Sequence, residues 1–508
     1  MTDGEANDHE PVAEAALSEP GEWTGFWWIP SEPDAKHPGV LHFDPMKGVE
    51  LRLIGGWEYE TELPEVPGLS TGQLKEWAMV HGAVADGTPV TLLHLHVSTV
   101  TRSNNRFKRS DAPDHLHLQA GVALLGCHLP TSTEPAFVGV SATVEHLTTW
   151  SARSGIHRTY KQENSCSREV HLEQLSALQA EFDDLTITLD HWNIVSSGAS
   201  RSRRRTSVEE YDAIQFSTAL PQPLDRWLDL VASAADLMSL TTMSASAVIG
   251  VRLFLPATPD AFPADHPTRN QRREVQLLQH RVTHAQPNLK AELHHHFLLT
   301  LDDMDFAVLM PRWLAIRERF AAARGMILGL QYVPSGYIEN RVVTAVAAAE
   351  ALHRALAPDP PIPPQSFRQL RRDLLDRVDP AHKQWLSERL TSTANVPTLR
   401  ERLLELANRL GGPGSALVGD VHQWATAAKN ARNRIAHLGS AEEDFLHLHA
   451  VIEVTSGVVI LNLLHELGLP SEHLERSVLQ HPKLSYAAHL ARTHLSGAPR
   501  AAVRETDS

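Results

Sequence analysis

At 508 residues, 42% of them apolar, the chain is long enough for two to four domains, each able to bury a core of its own. A formal net charge of -15 excludes a protein that coats nucleic acid through a broad basic surface, so any such contact has to be local. Two cysteines, Cys127 and Cys166, exclude a disulfide framework or a four-cysteine zinc site and fit a reducing compartment.

Residues 1–20 are acidic, rich in Glu, Ala and Pro, and without periodicity, which predicts a disordered leader. Met1–Glu5 carries neither a basic nor an apolar targeting segment, so a cytoplasmic protein is expected. Over 21–216, short apolar runs such as Val49–Ile54, Val90–Leu95, Ala136–Val140 and Leu185–Leu189 alternate and are bounded by Gly and Pro. That pattern predicts a mostly β N-terminal lobe. The segment 217–334 reads as a mixed linking region. Leu224, Leu228, Val231, Ala235 and Met238 recur at helical steps over 224–242, a strand is expected over 247–255, and one helix over 306–326.

Residues 335–495 read as all-helical, with helices over 338–356, 366–378, 381–391, 398–409, 417–438 and 442–467. The Pro-rich run Ala357–Pro364 breaks the pattern, and Gly468, Leu469 and Pro470 stop the last of these helices. The apolar stretch Phe445–Leu467 is interrupted by His447, His449, Glu453, Asn462 and His465, which fits a buried core helix and not a membrane span. A disordered tail is expected over 496–508. The predicted fold class is therefore α+β and multidomain: a mostly β lobe, a mixed middle and an all-α helical bundle at the C-terminus.

The helix over 417–438 carries the chemistry. Leu417, Val421, Trp424, Ala428, Ala431, Ile435 and Leu438 alternate four- and three-residue steps, committing one face to a core. Asn430, Asn433 and His437 fall within roughly 60° of one another on the opposite face, with Arg432 on the flank. Arg432 and His437 differ by about 140° around the axis and about 7.5 Å along it, so one straight helix does not set them side by side. Two such helices about a twofold axis would, each Arg/His pair facing its mate across a shared groove. Metal-free RNA cleavage needs help in deprotonating the 2′-hydroxyl, a proton for the 5′-oxygen and positive charge against the phosphorane. An imidazole and a guanidinium supply these functions. His437 stands just before Gly439, where a helix C-terminus favours the cationic ring. The plainer alternative is a charged, solvated helix end.

The run Ala431-Arg432-Asn433-Arg434-Ile435-Ala436-His437 resembles the R-N-x-x-x-H signature of HEPN ribonucleases. Glu339–Arg354 is similar to the first HEPN helix of the ApeA subfamily, and 442–468 to the helix that follows the motif. Trp23–Trp28 with Gly39–Leu41 resembles the start of the ApeA N-terminal domain, and Phe306–Phe320, centred on Trp313, its link into the HEPN unit. The resemblance implies an abortive-infection effector against phage. It would be a homodimer through its HEPN domain, or a larger oligomer built from that dimer, cleaving RNA, with tRNA suspected, on an unknown phage trigger and leaving a 2′,3′-cyclic phosphate without metal or cofactor. By the same resemblance Arg432 and His437 are catalytic, with Asn433, Arg434 and Glu350 supporting. A catalytically silent HEPN scaffold is the competing class.

Other residues invite weaker readings. His294–His296, and His42 with His94 and His96, suggest zinc, but adjacent histidines in a strand point to opposite faces and no partner stands at a recognised offset. Trp23, Trp27, Trp28 and Trp57 form either a base-stacking platform or core packing, the latter preferred. Basic clusters at Arg201–Arg205, at Arg269 with Arg272 and Arg273, and at Arg368 with Arg371 and Arg372 read as phosphate contacts or as solvated faces.

Overall fold

Alternation of inward and outward side chains generates the N-terminal strands. In the computed structural model the described residues are 17–58, 60–62, 70–101, 113–160, 168–199, 204–258, 271–285, 292–391, 394–439 and 444–496. Most of the expected leader and tail, Cys166, Arg201 to Arg203 and Arg269 lie outside the described residues. The strands are β1 (Gly21–Trp28), β2 (His37–Asp44), β3 (Gly48–Ile54), β4 (Glu60–Glu62), β5 (Ser70–Leu74), β6 (Glu76–Val84), β7 (Pro89–Thr101) and β8 (His115–Leu125). They continue as β9 (Phe137–Val144), β10 (Ile156–Tyr160), β11 (Arg168–Leu172), β12 (Leu178–Phe182), β13 (Leu185–Ala199), β14 (Arg204–Gln222), β15 (Val248–Leu255) and β16 (Arg273–Gln279).

One antiparallel sheet runs β12-β13-β14-β9-β15-β16-β8-β3-β2-β1-β6-β7, and β7 pairs back onto β8. That second pairing closes β8, β3, β2, β1, β6 and β7 into a six-stranded barrel. Register explains what fills it. Trp23, Leu41, Leu51 and Leu118 stand opposite one another across β1, β2, β3 and β8, and the last three are fully buried. One residue along, the outward row reads Glu22, His42, Glu50 and Gln119, and it borders an open cavity of about 550 Å³. There Arg52 Nη2 and His117 Nδ1 lie 2.7 and 3.0 Å from the Glu50 carboxylate. Burial pushes the Glu50 carboxyl up, but the hydrogen bonds from Arg52 and His117 outweigh it and hold it below its ordinary value.

Trp27 is fully buried in the barrel because residue 82 is glycine: a Cβ there would sit 2.2 Å from the indole ring. Trp28 and Trp57 are also buried, so these tryptophans serve packing. The expected end of the β lobe at residue 216 falls inside β14. The sheet also takes in β15 and β16, because their strands slot between β9 and β8 after helix α2 (Leu224–Thr242). Trp227 of α2 is buried, and its indole Nε1 donates to the Phe137 carbonyl at 3.2 Å. Helix α1 (Leu147–Trp150) is a single turn.

The remaining helices are α3 (Phe306–Arg319), α4 (Ala321–Tyr332), α5 (Ile338–Ala355), α6 (Pro364–Arg377), α7 (Pro380–Arg389), α8 (Leu399–Arg409), α9 (Gly412–Val418), α10 (Val421–Leu438), α11 (Phe445–Leu467), α12 (Ser471–Gln480) and α13 (Pro482–Leu490). Two expected helices are broken in two. The helix over 306–326 is interrupted at Phe320, which leaves helical geometry at φ -107°, ψ 27° with its ring buried. The helix expected from Leu417 ends instead at Val418. Gly419 turns at φ 70°, and Asp420 starts α10 afresh by accepting the Gln423 N–H. His294–His296 forms a 3-10 turn and not a strand.

The described residues group into two compact units: Met1–Met238 with Ala245–Glu292 and Leu299–Pro311, and Ser239–Ser244 with Leu293–Leu298 and Arg312–Ser508. In the second, α11 is the central helix, meeting α4, α5, α8, α9, α10, α12 and α13. Among the described residues it alone is long and apolar enough to cross a membrane. In its most apolar window, however, 72% is buried within the structure, and Asn462 spends its amide on the Leu406 and Val458 carbonyls.

Candidate active site

Helix α10 is built to show one face. Trp424, Ala425, Ala428, Ala431 and Ile435 are buried, and the three alanines leave room for close approach to α5, α8 and α11. The Trp424 indole Nε1 donates to Thr455 Oγ1 of α11 at 3.2 Å, both groups being buried. At the far end Gly439 takes a left-handed φ of 75° and its N–H caps the Ile435 carbonyl. The rest of the last turn's carbonyls leave a partial negative charge where His437 stands.

His437 and Arg434 are exposed, and Arg432 and Asn433 half-buried. Arg432 Nη1 donates to Asn433 Oδ1 at 3.2 Å, so the asparagine braces the guanidinium. Arg432 and His437 are five positions apart, about 7.5 Å along the axis and about 140° around it, and a single copy of the chain does not bring them into contact. Glu350, on α5, accepts from Arg354 Nη2 at 2.7 Å and from the largely buried Arg402 Nη1 of α8 at 3.3 Å. Glu350 is therefore tied into the contact between α5 and α8. Three residues on, His353 Nε2 lies 2.6 Å from Glu405 Oε2, a second tie between the same two helices.

Sequence reasoning assigned no role to a polar cluster on α11. Glu453 lies 3.8 Å from His449 Nδ1 and 4.0 Å from Arg341 of α5, and the His449 ring stacks on exposed Phe445. The four-residue spacing of His449 and Glu453 was the available signal. His42 faces Glu22 at 3.4 Å, His94 sits at φ 58° opposite Gly121, and the described residues contain no group of three or more His, Cys, Asp or Glu able to hold a metal.

The arrangement offers a braced permanent cation and an accessible imidazole on the solvent face of a rigid helix, a pair that can bind phosphate and move protons. Two family models match the chain: ApeA N-terminal domain 1 over residues 22–313, more than half its length, and Apea-like HEPN over residues 343–473. The second runs from within α5 to the start of α12 and thus covers the whole Arg432–His437 motif. No curated protein and no solved structure matches the chain. It belongs to the ApeA family, carrying an ApeA N-terminal domain 1 followed by an Apea-like HEPN domain, as ApeA defence proteins do.

Proposed function

We propose that the chain is a metal-independent HEPN endoribonuclease of anti-phage defence, with Arg432 and His437 as its catalytic pair. The observation that carries this reading is the Arg432-to-His437 motif on the outward face of α10, with the guanidinium held by Asn433 and the imidazole open to solvent. In this reading His437 relays the proton between the attacking 2′-hydroxyl and the leaving 5′-oxygen. Arg432 offsets the charge that builds on the phosphorane, and the product is a 2′,3′-cyclic phosphate. Arg434, exposed beside them, contacts the neighbouring phosphate.

Because Arg432 and His437 diverge on one helix, a working site is completed by a second copy. Exposed Phe445 and Leu446, which open α11 just after the motif helix, support a homodimer there, since such side chains gain by leaving water. The N-terminal unit senses a phage component or restrains the nuclease, the substrate is a cellular RNA such as tRNA, and the protein acts in the cytoplasm. The test is expression of wild type beside Arg432→Ala and His437→Ala, with the ends of cellular RNAs mapped after induction. Cyclic-phosphate ends dependent on both residues and unaffected by EDTA are expected. Equal RNA profiles in all three strains would leave a silent HEPN scaffold as the better description.

A further inference from the structure

Between α5 and α8 the bundle is interrupted by a hairpin of α6 and α7 that is packed on itself. Arg371 ties the two helices together: its Nε donates to the Leu390 carbonyl at 2.6 Å and its Nη2 to Ser387 Oγ at 2.7 Å. At the base, buried Asn395 clasps Ile362 through both backbone groups, at 3.1 Å from the N–H and 2.6 Å to the carbonyl. An arm held so firmly nonetheless leaves Trp385 60% exposed. The indole borders a cavity of about 480 Å³ lined by Val378, His382, Trp385 and Leu386, and the Arg389 guanidinium lies over the indole ring at 5.9 Å.

We propose that this hairpin is a second RNA-contact site, one that takes an unpaired base against Trp385 and the flanking phosphates on exposed arginines. Charge decides the class of occupant. Between Pro364 and Arg389 there are six basic and four acidic side chains, a net of +2 in a chain whose net is -15. The four acids are engaged locally: Asp379 caps α7, Asp376 lies 3.5 Å from Lys383, and Asp373 and Glu388 accept from glutamines one turn away. Arg368, Arg372, Arg377 and Arg389 meanwhile reach solvent. The same basic face on a second copy would repel it, whereas a polyanion is drawn in. An aromatic ring with an arginine across one face and an apolar slot beside it is the chemistry that holds a flipped-out base. The identification of the polyanion as RNA rests on the ribonuclease reading; the arm's charge and shape do not.

The experiment uses the full-length chain with His437→Ala to prevent turnover, and the anisotropy of a fluorescein-labelled single-stranded RNA of mixed sequence. Adding Trp385→Ala weakens binding about tenfold, while Trp385→Phe retains most of it. Adding Arg368→Gln with Arg372→Gln lowers the slope of log affinity against log salt by roughly 1.4, the signature of two lost phosphate contacts. Affinity and slope unchanged in these variants overturn the proposal, and cleavage by the otherwise wild-type chain would then leave the nuclease reading intact. Hairpin-dependent binding without cleavage by the wild type would sink the nuclease reading alone, and absence of RNA binding would sink both. A hairpin variant that instead changes the particle mass in light scattering would mark the arm as a protein interface, and also overturns the proposal.

Discussion

Asn433 gives the sharpest test of how the motif works. Its side-chain oxygen accepts from Arg432 at 3.2 Å in a half-buried setting, and Asn433→Ala removes that bond while leaving the guanidinium in place. A hydrogen bond to a charged group contributes about 1.5–3 kcal/mol when buried, and partial solvent access reduces this to about 1–1.5 kcal/mol. If the bond holds Arg432 in the orientation the phosphorane needs, single-turnover cleavage of an end-labelled RNA slows roughly 5- to 12-fold. Alanine is the better helix former, so the variant should melt no lower than the wild type, which separates lost positioning from lost structure. In a double-mutant cycle, Asn433→Ala adds nothing further once Arg432 is alanine. A cleavage rate within about twofold of wild type, or effects that simply add, would refute the bracing role.

Three further outcomes follow from the geometry. Trp424→Phe strands the buried Thr455 hydroxyl and should cost about 1–3 kcal/mol, read as a lower thermal midpoint; an unchanged midpoint would mean that the bond contributes nothing net. The Glu50 carboxyl is held below its ordinary value. Its contribution is therefore present above that ordinary value and disappears as pH falls through the lowered one. Glu50→Gln should destabilise by about 1 kcal/mol near neutrality in urea unfolding, with the gap to wild type closing in acid; a gap that widens in acid has the wrong sign. Burial pushes the Cys127 thiol up to about 12, so site-resolved mass spectrometry should find it unalkylated by iodoacetamide in mildly alkaline native protein and alkylated in urea; equal labelling in both would contradict its burial.

Local patterning revealed much of this molecule. The α2 and α5 helices, the mostly β lobe with its apolar runs in β3, β7, β9 and β13, and the HEPN motif are legible, because a period of two or 3.6 in the side chains is a local property of the chain. The same holds for the buried face of α10, where Trp424, Ala428, Ala431 and Ile435 are spaced for a core and are buried in one. Boundaries were harder. Phe320 breaks a helix without glycine or proline, its backbone bending as its ring enters the core, and Asp420 restarts α10 after a glycine that reads equally well as part of a helix.

Long-range pairing is where local pattern stops. Nothing in the sequence of β7 says that it pairs with β8 and closes a barrel, nor that β15 and β16 cross back between β9 and β8, since strand partners distant in the chain are selected by the whole set of packed faces. The engagement of Glu350 by Arg402 and the cation over Trp385 are decided in the same way, by helices whose contacts exist only once the bundle has formed. Residue type and period therefore established what the chain is made of and which face of α10 turns away from the core with the Arg432–His437 motif. Which groups stand beside those residues depends on folding, because distance in space is not encoded by distance along the chain.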